Sequence, residues 1–234
     1  PKDSFPYIVD FETGFVQGTG SPYTPGVLDS GWAIDPVGGS SVYTWLVHSG
    51  STGSSSTGPS FDNTTGGGKY MYTEASYGSA AAVANLIMPC IDITNIKVPV
   101  LEFYFHMYGS AMGELHLDAY YGGAWVSDIM PPLVGDSGDV WHKASVDLSL
   151  YKSITQLRFR AIRGSSLTSD IALDDIKIWQ PPAYDAGMVK VDRPTSPSPS
   201  GTHTVKASFR NFGSEILNKL TINWEINGSS QTPY

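Results

Sequence analysis

Acidic, histidine and tyrosine side chains alternate with apolar ones along two neighbouring segments, residues 100–108 and 114–120. If the two segments form a hairpin around residues 110–112, their polar side chains share one sheet face and His106 lies opposite His116. Aromatic rings can stack on sugar rings, while carboxylates and imidazoles bond hydroxyl groups, so this face could bind a sugar or a partner protein. The candidate ligand-binding residues on this predicted face are Tyr104, His106, His116, Asp118 and Tyr120.

Two other interpretations of the same face stay open. Two histidines and a carboxylate could bind a transition metal. Alternatively, the face is an ordinary solvated one with cross-strand salt bridges, to which Arg158 and Arg160 contribute. Trp125 is a further candidate ligand-binding residue, because it follows Gly122-Gly123, which has the composition of a hairpin tip. The alternative for Trp125 is packing in the core.

Catalytic motifs are missing from the sequence. It contains no Gly-x-Ser-x-Gly turn, no His-Glu-x-x-His helix motif and no phosphate-binding P-loop. Asp174 and Asp175 are adjacent on a predicted strand, so they face opposite sides of the sheet and cannot act as a glycosidase pair. Cys90 has no basic neighbour in sequence, and we expect it to be a buried, unreactive thiol. We therefore expect no enzymatic activity and assign no catalytic residue.

Composition narrows the class of protein. Of 234 residues only 15% are charged, whereas 25 are glycine and 16 proline, which is typical of a β-rich, secreted domain. The net charge of −8 and the lack of any basic run exclude a nucleic-acid partner. No apolar stretch approaches the roughly 18 residues of a membrane span. One cysteine allows no internal disulfide, and the start at Pro1 indicates a processed piece of a longer protein.

The elements that must position these side chains are β-strands. Apolar and polar residues alternate with period two between clusters of Gly, Ser, Asn and Asp, and helical periodicity is almost absent. This pattern predicts an all-β sandwich. The Ala-rich segment 79–86 has helix propensity, but we assign it to a strand. The other predicted strands are 7–12, 69–73, 100–108, 114–120, 140–148, 155–163 and 171–179.

The strand pattern breaks at Pro181-Pro182, because proline cannot donate to a β-ladder. We place a first domain at residues 1–180, a proline linker at 181–183 and a second domain at 184–234. Three more strands are predicted over 185–191, 203–211 and 220–227, with a stiff proline-rich loop over 193–201. Three strands cannot close a sandwich, so the second domain is expected to be a truncated immunoglobulin-like one.

Several motifs of the first domain, read in order, resemble the MAM domain of meprins, neuropilins and receptor-type tyrosine phosphatases. The resemblance covers roughly residues 7–180 and implies a jelly-roll β-sandwich of two antiparallel sheets. Animal MAM domains carry paired cysteines, whereas Cys90 is alone here, which indicates a cysteine-poor bacterial version. The matching segments are Asp10-Phe11-Glu12, Trp45 with His48-Ser49-Gly50, residues 57–64, Gly68-Lys69-Tyr70, residues 101–109, Trp141 and residues 171–176.

The MAM-like motifs also carry a candidate cation site. Hard cations such as calcium require several oxygen ligands. Glu12 and Asp10 lie on the first strand, Asp62 lies in a turn, and Asp174 and Asp175 lie on the last strand. The jelly-roll implied by the resemblance places the first and last strands side by side, and Gly68 could offer a carbonyl without obstruction. We expect a structural Ca²⁺, with Na⁺ as an alternative. Otherwise, Asp62 and Asp174 only cap local turns.

The second domain, through its segments at residues 184–189, 209–213 and 222–228, resembles the start of a CARDB unit, an Ig-like module of bacterial secreted proteins. Together the two resemblances imply a non-catalytic accessory region of a larger secreted or surface enzyme, a peptidase or polysaccharide hydrolase. The expected location is extracellular. The expected partners are the catalytic domain of that enzyme and a polysaccharide or surface or matrix protein. Alternatives are an adhesion module that forms homodimers and a spacer that binds nothing.

Overall fold

The computed structural model describes residues 1–194 and 201–234. These residues divide into two compact units, Pro1–Gln180 and Pro181–Tyr234. The chain is all-β, which confirms the predicted fold class. Across the described ranges the one helical element is a short 3-10 turn at Ser149–Tyr151. No helix in the same ranges is long and apolar enough to cross a membrane.

The first unit is a sandwich of antiparallel strands. Its strands are β1 (Tyr7–Val9), β2 (Ala33–Asp35), β3 (Trp45–Ser49), β4 (Lys69–Thr73), β5 (Val83–Ile87), β6 (Val100–Met107), β7 (Glu114–Tyr121), β8 (Ala124–Val126), β9 (Leu133–Val134), β10 (His142–Asp147), β11 (Gln156–Ile162) and β12 (Ile171–Trp179). The first sheet has the order β10-β6-β12-β4-β3, and β1 also pairs with β12. The second sheet has the order β2-β5-β11-β7-β8, and β9 also pairs with β7.

The first and last strands of this unit are neighbours, as the jelly-roll resemblance implies. Tyr7 of β1 pairs with Ile178 of β12 in antiparallel register. The same edge of β12 pairs with β4 at the beginning of β12, where Ile171 is opposite Thr73. Between these two pairings the register of β12 is shifted after Asp174, and Asp175 adopts a positive φ of 46°. The bulge leaves a gap in the sheet between β4 and β1, and polar side chains fill it.

The core lies between the two sheets and consists of alternate residues from facing strands. Phe103 of β6 contacts Phe159 of β11 edge to face, with ring centroids 4.9 Å apart. Trp45 of β3 is fully buried, and its indole N–H donates to the carbonyl of Ala84 across 3.1 Å. Each large apolar side chain buried in this way contributes about 1.5–3 kcal/mol to folding. Packing of this kind replaces the disulfides that the chain lacks.

The predicted hairpin between β6 and β7 is wrong. Strand β6 pairs with β10 and β12 in the first sheet, whereas β7 pairs with β11, β8 and β9 in the second. The predicted inward residues are nevertheless buried, including Phe103 and Leu117. Alternation identifies the buried face of a strand but not its partner, because two strands that face each other across a core show the same pattern as two paired strands. His106 therefore does not lie opposite His116.

Most of the other predicted strands are present. Strands β4 and β12 have the predicted bounds. Of the Ala-rich segment predicted as a strand over 79–86, only residues 83–86 belong to β5, which lies between β2 and β11. The structure adds the short strands β2, β3, β8 and β9. The prediction that Cys90 is buried is wrong, since the residue is exposed. Its neighbour Ile91 takes the buried position instead, while the Cys90 carbonyl accepts a hydrogen bond from the Lys2 amide.

The second unit has four described strands in two small antiparallel sheets. Strand β13 (Ala186–Arg193) pairs with β14 (Lys206–Asn211), and β15 (Glu225–Ile226) pairs with β16 (Ser229–Ser230). The third strand predicted for this unit is thus reduced to Glu225–Ile226. Most of the predicted proline-rich loop, residues 195–200, lies outside the described residues. The resemblance of this unit to CARDB stays a prediction.

Candidate functional site

The first group of candidate residues lies at the bulge of β12, in the gap between β4 and β1. Asp62 anchors a turn there, since its Oδ1 accepts the Gly68 amide at 2.8 Å and its Oδ2 accepts the Thr65 amide at 2.7 Å. Glu12 lies after β1 and not on it, because the strand ends at Val9 and not at residue 12 as predicted. Its Oε1 accepts the Lys69 amide at 2.6 Å. Its Oε2 lies 3.3 Å from the Lys69 ammonium. We call Glu12, Asp62, Gly68 and Asp174 the acidic corner.

Gly68 lies at the centre of the acidic corner. A Cβ on this residue would lie 2.0 Å from Glu12 Oε1 and 2.9 Å from Asp62 Oδ2. Two carboxylates therefore converge on a backbone position that only glycine fits without displacing them. That the Gly68 carbonyl binds a cation stays a prediction, whereas the missing side chain leaves room for Glu12 and Asp62.

Asp174 is the most buried carboxylate of the acidic corner, with 1% of its surface exposed. Its two oxygens accept the amides of Asn63 at 2.9 Å and of Asp175 at 2.8 Å. Burial raises the pKa of Asp174 to about 8, and the neighbouring charges of Asp175 and Asp62 raise it too, against the two amide hydrogen bonds. Burial also opposes ionisation of Asp62, but hydrogen bonds from Thr65 and Gly68 keep its pKa below the usual range.

Asp10 and Asp175 lie at the edge of the acidic corner and bond to local groups. Asp10 accepts the Glu12 amide at 3.1 Å and so fixes the backbone that carries Glu12. Asp175 accepts the side-chain amide of Asn63 at 2.7 Å and the hydroxyl of Thr64. Across residues 1–194 and 201–234, no three Asp, Glu, His or Cys side chains form a ready-made metal centre. The carboxylates of Glu12, Asp62 and Asp174 meet backbone amides here, and Glu12 also contacts the Lys69 ammonium.

His106 and Tyr104 lie on the outer face of the first sheet. His106 is 2% exposed, and its Nε2 lies 3.1 Å from Asp139 Oδ1. Its ring meets that of Trp141 edge on, with centroids 5.4 Å apart. Burial lowers the pKa of His106, although Asp139 opposes the shift, so the neutral ring donates from Nε2 to the carboxylate. Tyr104 is partly buried and pairs in register with Lys143 of β10.

His116 and Asp118 lie on the outer face of the second sheet. Each ring nitrogen of His116 meets a carboxylate, Asp128 at 2.6 Å and Glu114 at 2.9 Å. Asp118 is fully buried and accepts the Nε–H groups of Arg158 and Arg160, both at 2.8 Å. Burial opposes its ionisation, but these bonds and the Asp128 amide hold the pKa of Asp118 below the usual range. With every oxygen occupied, Asp118 positions other side chains rather than contacting a ligand.

Tyr120 and Trp125 form an aromatic pair beside the tip of the β7–β8 hairpin. They face each other across the two strands, and their ring centroids are 5.3 Å apart. Gly122 and Gly123 make the turn with positive φ angles, as the Gly-Gly pair predicted. The guanidinium of Arg158 lies 4.4 Å from the centroid of the Trp125 ring. We call Tyr120, Trp125 and Arg158 the Trp125 patch.

Comparison with known protein families identifies the family of the first unit. Residues 31–183 match the family model described as MAM domain, meprin/A5/mu. The chain belongs to the MAM domain family. Among curated relatives of this MAM domain, neuropilin-1a of Danio rerio is 31% identical over 159 residues, which are 64% of this chain and 17% of the relative. MAM domain-containing protein 2 of Homo sapiens is 34% identical over 139 residues, 59% of this chain and 20% of the relative. The chain spans about a fifth of the length of these relatives.

Solved structures that are similar to this MAM domain have low sequence identity to it and TM-scores below 0.5. The K1 cleaved adhesin domain of Lys-gingipain from Porphyromonas gingivalis W83 is 17% identical, with a TM-score of 0.47, over 75% of this chain and 98% of that domain. TmCBM61, solved in complex with β-1,4-galactotriose, is 14% identical with a TM-score of 0.43, over 75% of this chain and 99% of that one.

Sequence reasoning missed two carboxylates that organise this MAM domain. Asp128 bonds both His116 and Arg160, and Asp139 bonds His106. Both follow strands in irregular segments, where no alternation marks the direction of a side chain. The cross-strand ion pairs of Arg158 and Arg160, which were one interpretation of this face, are present. The candidate residues thus fall into three separate places: the acidic corner, the outer face of the first sheet around His106, and the outer face of the second sheet, which carries His116, Asp118 and the Trp125 patch.

Proposed function

We propose that this MAM domain is a non-catalytic, extracellular binding module of a larger secreted or surface protein. Its partner would be a polysaccharide or a surface or matrix protein. The observation that carries this proposal is the Trp125 patch, in which aromatic rings and a guanidinium are held together on an open sheet face. A catalytic domain in the same protein, a peptidase or a polysaccharide hydrolase, would use the module to stay close to its substrate.

The Trp125 patch has its geometry fixed before any ligand binds. Buried Asp118 holds the guanidinium of Arg158, and Arg158 in turn lies on the Trp125 ring. On the other side, Tyr120 donates its hydroxyl to the Gly123 carbonyl at 2.9 Å. Tryptophan, tyrosine and arginine dominate the energetics of binding surfaces. A rigid patch of these three residues loses little entropy on binding, which supports its role as the contact surface.

The test is retention of the full chain on a panel of immobilised polysaccharides and matrix proteins. Replacing Trp125 by alanine removes the central ring, and a loss of about 2 kcal/mol weakens binding about thirtyfold. Tyr120→Ala is expected to weaken it as well. Tyr23→Ala is the matched control, because Tyr23 is an exposed tyrosine outside the patch. Retention that survives Trp125→Ala unchanged, or no retention on any polymer or protein, contradicts the proposal.

A second candidate function, self-association, is favoured by the open edge of the second sheet. Strand β8 ends the strand order of that sheet, and Val126 on it is 44% exposed. Val134 on β9 is also exposed. Unpaired strand edges with apolar side chains can pair with a second copy. Concentration-dependent dimers in sedimentation analysis, abolished by Val126→Lys, would favour this function over binding of a polymer.

We also propose that the acidic corner holds a structural cation, Ca²⁺ or alternatively Na⁺. Glu12, Asp62 and Asp174 would supply carboxylate oxygens, and the backbone near Gly68 would supply carbonyls. The support is the burial of Asp174 among other carboxylates, where Lys69 is engaged by Glu12 and leaves Asp174 without a cationic partner among the described contacts. When bound, the ion supplies the positive charge that these carboxylates lack.

Calcium-dependent stability tests the cation proposal. A ligand at 100 times its dissociation constant adds about 2.7 kcal/mol to the free energy of unfolding, so Tm should rise by about 5 °C or more. Asp62→Asn and Glu12→Gln should reduce the calcium-dependent shift, whereas Asp3→Asn, at an exposed residue, should leave it intact. A wild-type Tm that is the same in calcium, in sodium and in chelator refutes the proposal.

A further inference from the structure

A polar pocket lies between the serine-rich loop at residues 51–60 and the end of the first sheet. Its volume is about 260 Å³. Besides the loop, Tyr108 and Asp139 line it. The pocket lies beyond the end of β6, next to buried His106. None of its residues belongs to the acidic corner or to the Trp125 patch.

The loop that forms one wall of the pocket is fixed by hydrogen bonds within the unit. The Thr52 amide donates to the Pro59 carbonyl at 3.2 Å, and the Thr52 hydroxyl donates to the Thr57 carbonyl at 3.0 Å. The Thr57 hydroxyl accepts the amide of buried Asp170 at 2.9 Å. Gly58 has a φ of +66°, and a Cβ there would lie 2.4 Å from the Thr52 hydroxyl. The wall is therefore a built structure and not a loose loop.

Several polar groups of the pocket have no bonding partner in the described part of the chain. The hydroxyls of Ser55, Ser56 and Ser60 make no hydrogen bond there, and neither does the Tyr108 hydroxyl. Asp139 is different, because His106 holds one of its oxygens in place and leaves Oδ2 free. Ser56 has a φ of 61°, an uncommon value for a residue other than glycine. The pocket thus offers four hydroxyls and one oriented carboxylate oxygen.

These groups select the chemical class of the ligand. Asp139 and the net charge of −8 disfavour an anion. The hydroxyl-rich wall disfavours an apolar group, which gains nothing from polar surfaces. One carboxylate that is 56% exposed gives a cation little affinity, since exposed ion pairs are worth about 0–1 kcal/mol. A neutral group with many hydroxyls satisfies both the serines and the carboxylate, and its hydroxyls form the stronger, charge-assisted bonds to Asp139.

We infer that this pocket binds one ring of a neutral saccharide, with Asp139 accepting from sugar hydroxyls and Tyr108 beside the ring. Its volume lies below the range of about 300–1,000 Å³ for drug-sized ligands, which suits a single ring and not an extended chain. The inference rests on the proposed binding function but assigns a ligand class to a different surface. His106 acts as a positioning residue for Asp139.

The experiment is a saturation-transfer NMR titration of the full chain with methyl glycosides of glucose, galactose, mannose, xylose and N-acetylglucosamine. We expect saturable binding of at least one glycoside, insensitive to 0.5 M salt. Asp139→Asn keeps the acceptor for His106 but loses the charge, and it should weaken binding about tenfold. Tyr108→Phe should weaken it severalfold. Asp3→Asn is the matched control at an exposed carboxylate.

Each other outcome overturns the inference in a recognisable way. No saturable signal for any glycoside, or affinities unchanged by Asp139→Asn and Tyr108→Phe, means that the pocket is not a sugar site. Binding that disappears in 0.5 M salt and is displaced by a lysine-rich peptide identifies a cationic ligand instead. Glycoside binding lost in Trp125→Ala but kept in Asp139→Asn moves the sugar to the Trp125 patch. That last result leaves the proposed function standing and rejects only the pocket.

Discussion

Replacing Asp118 by alanine should destabilise the first unit more than any exposed substitution. Asp118 is fully buried and receives four hydrogen bonds, one from the Asp128 amide and three from Arg158 and Arg160. The side chains of the two arginines are only 17% and 16% exposed. In Asp118→Ala both would keep their charge at a largely dry position, where Arg158 would have lost its carboxylate and Arg160 would retain only Asp128.

The magnitude follows from this burial. Removing one partner of a buried ion pair costs about 3–5 kcal/mol, because the remaining charge is left uncompensated. For a domain of this size each 1 kcal/mol lowers Tm by about 2–4 °C, so the expected loss is about 6 °C or more. Asp118→Asn keeps the shape and one acceptor oxygen, and it should cost less. Asp3→Ala, at an exposed residue, should change the free energy of unfolding by no more than about 0.5 kcal/mol.

The assay is urea unfolding at pH 7 followed by tryptophan fluorescence, with a thermal scan as a second probe. The pKa of Asp118 is depressed in the folded protein, so its contribution is present above pH 4 and is lost as pH falls through the folded-state pKa. The difference between wild type and Asp118→Ala should therefore shrink in strong acid. A destabilisation below about 1 kcal/mol at pH 7 would refute this reasoning. It would mean that the ion pairs of Asp118 with Arg158 and Arg160 contribute no more than exposed ion pairs do.

Three further predictions concern Gly68 in the acidic corner, the buried carboxylate of Asp170 and His116 on the second sheet. Gly68→Ala pushes a Cβ against Glu12 and should cost about 1–2 kcal/mol in urea unfolding, whereas Gly67→Ala, with open space around it, should be neutral. Burial raises the pKa of Asp170 to about 8, so the folded state retains a proton that the unfolded state loses above pH 4. Stability should fall by up to about 1.4 kcal/mol per pH unit between pH 4 and 8, and Asp170→Asn should flatten that slope; an unchanged slope contradicts the assignment. His116→Ala removes the ring that bonds Asp128 and Glu114 and leaves the two carboxylates facing each other, so a thermal scan at pH 7 should show a lower Tm than for the wild type.

Much of the first sheet could be predicted from local pattern. The segment Lys69–Thr73 and the segment Ile171–Trp179 are strands with the predicted bounds, since each is a run of strand-forming residues between turn signals. The short strands Ala33–Asp35 and Leu133–Val134 were missed. Two or three residues cannot show a period, and long-range pairing alone makes them strands.

Some features of the candidate sites could likewise be predicted from the sequence, and others could not. The first and last strands of the unit are neighbours, as the family resemblance implied, and Glu12 meets Asp62 at Gly68 beside them. The prediction that His106 lies opposite His116 was wrong, because the two residues lie on different sheets. No local sequence signal shows which strands pair. Asp139 could not be predicted, because its role depends on how an irregular segment folds back onto His106.

We expect the chain to bind its partner through the Trp125 patch. The most direct test is the dissociation constant of the full chain for the polymer or protein that retains it, measured for wild type, Trp125→Ala and Tyr23→Ala by calorimetry. We expect the dissociation constant to be about thirtyfold higher for Trp125→Ala and unchanged for Tyr23→Ala, with both variants folded. Equal dissociation constants for all three proteins would contradict it.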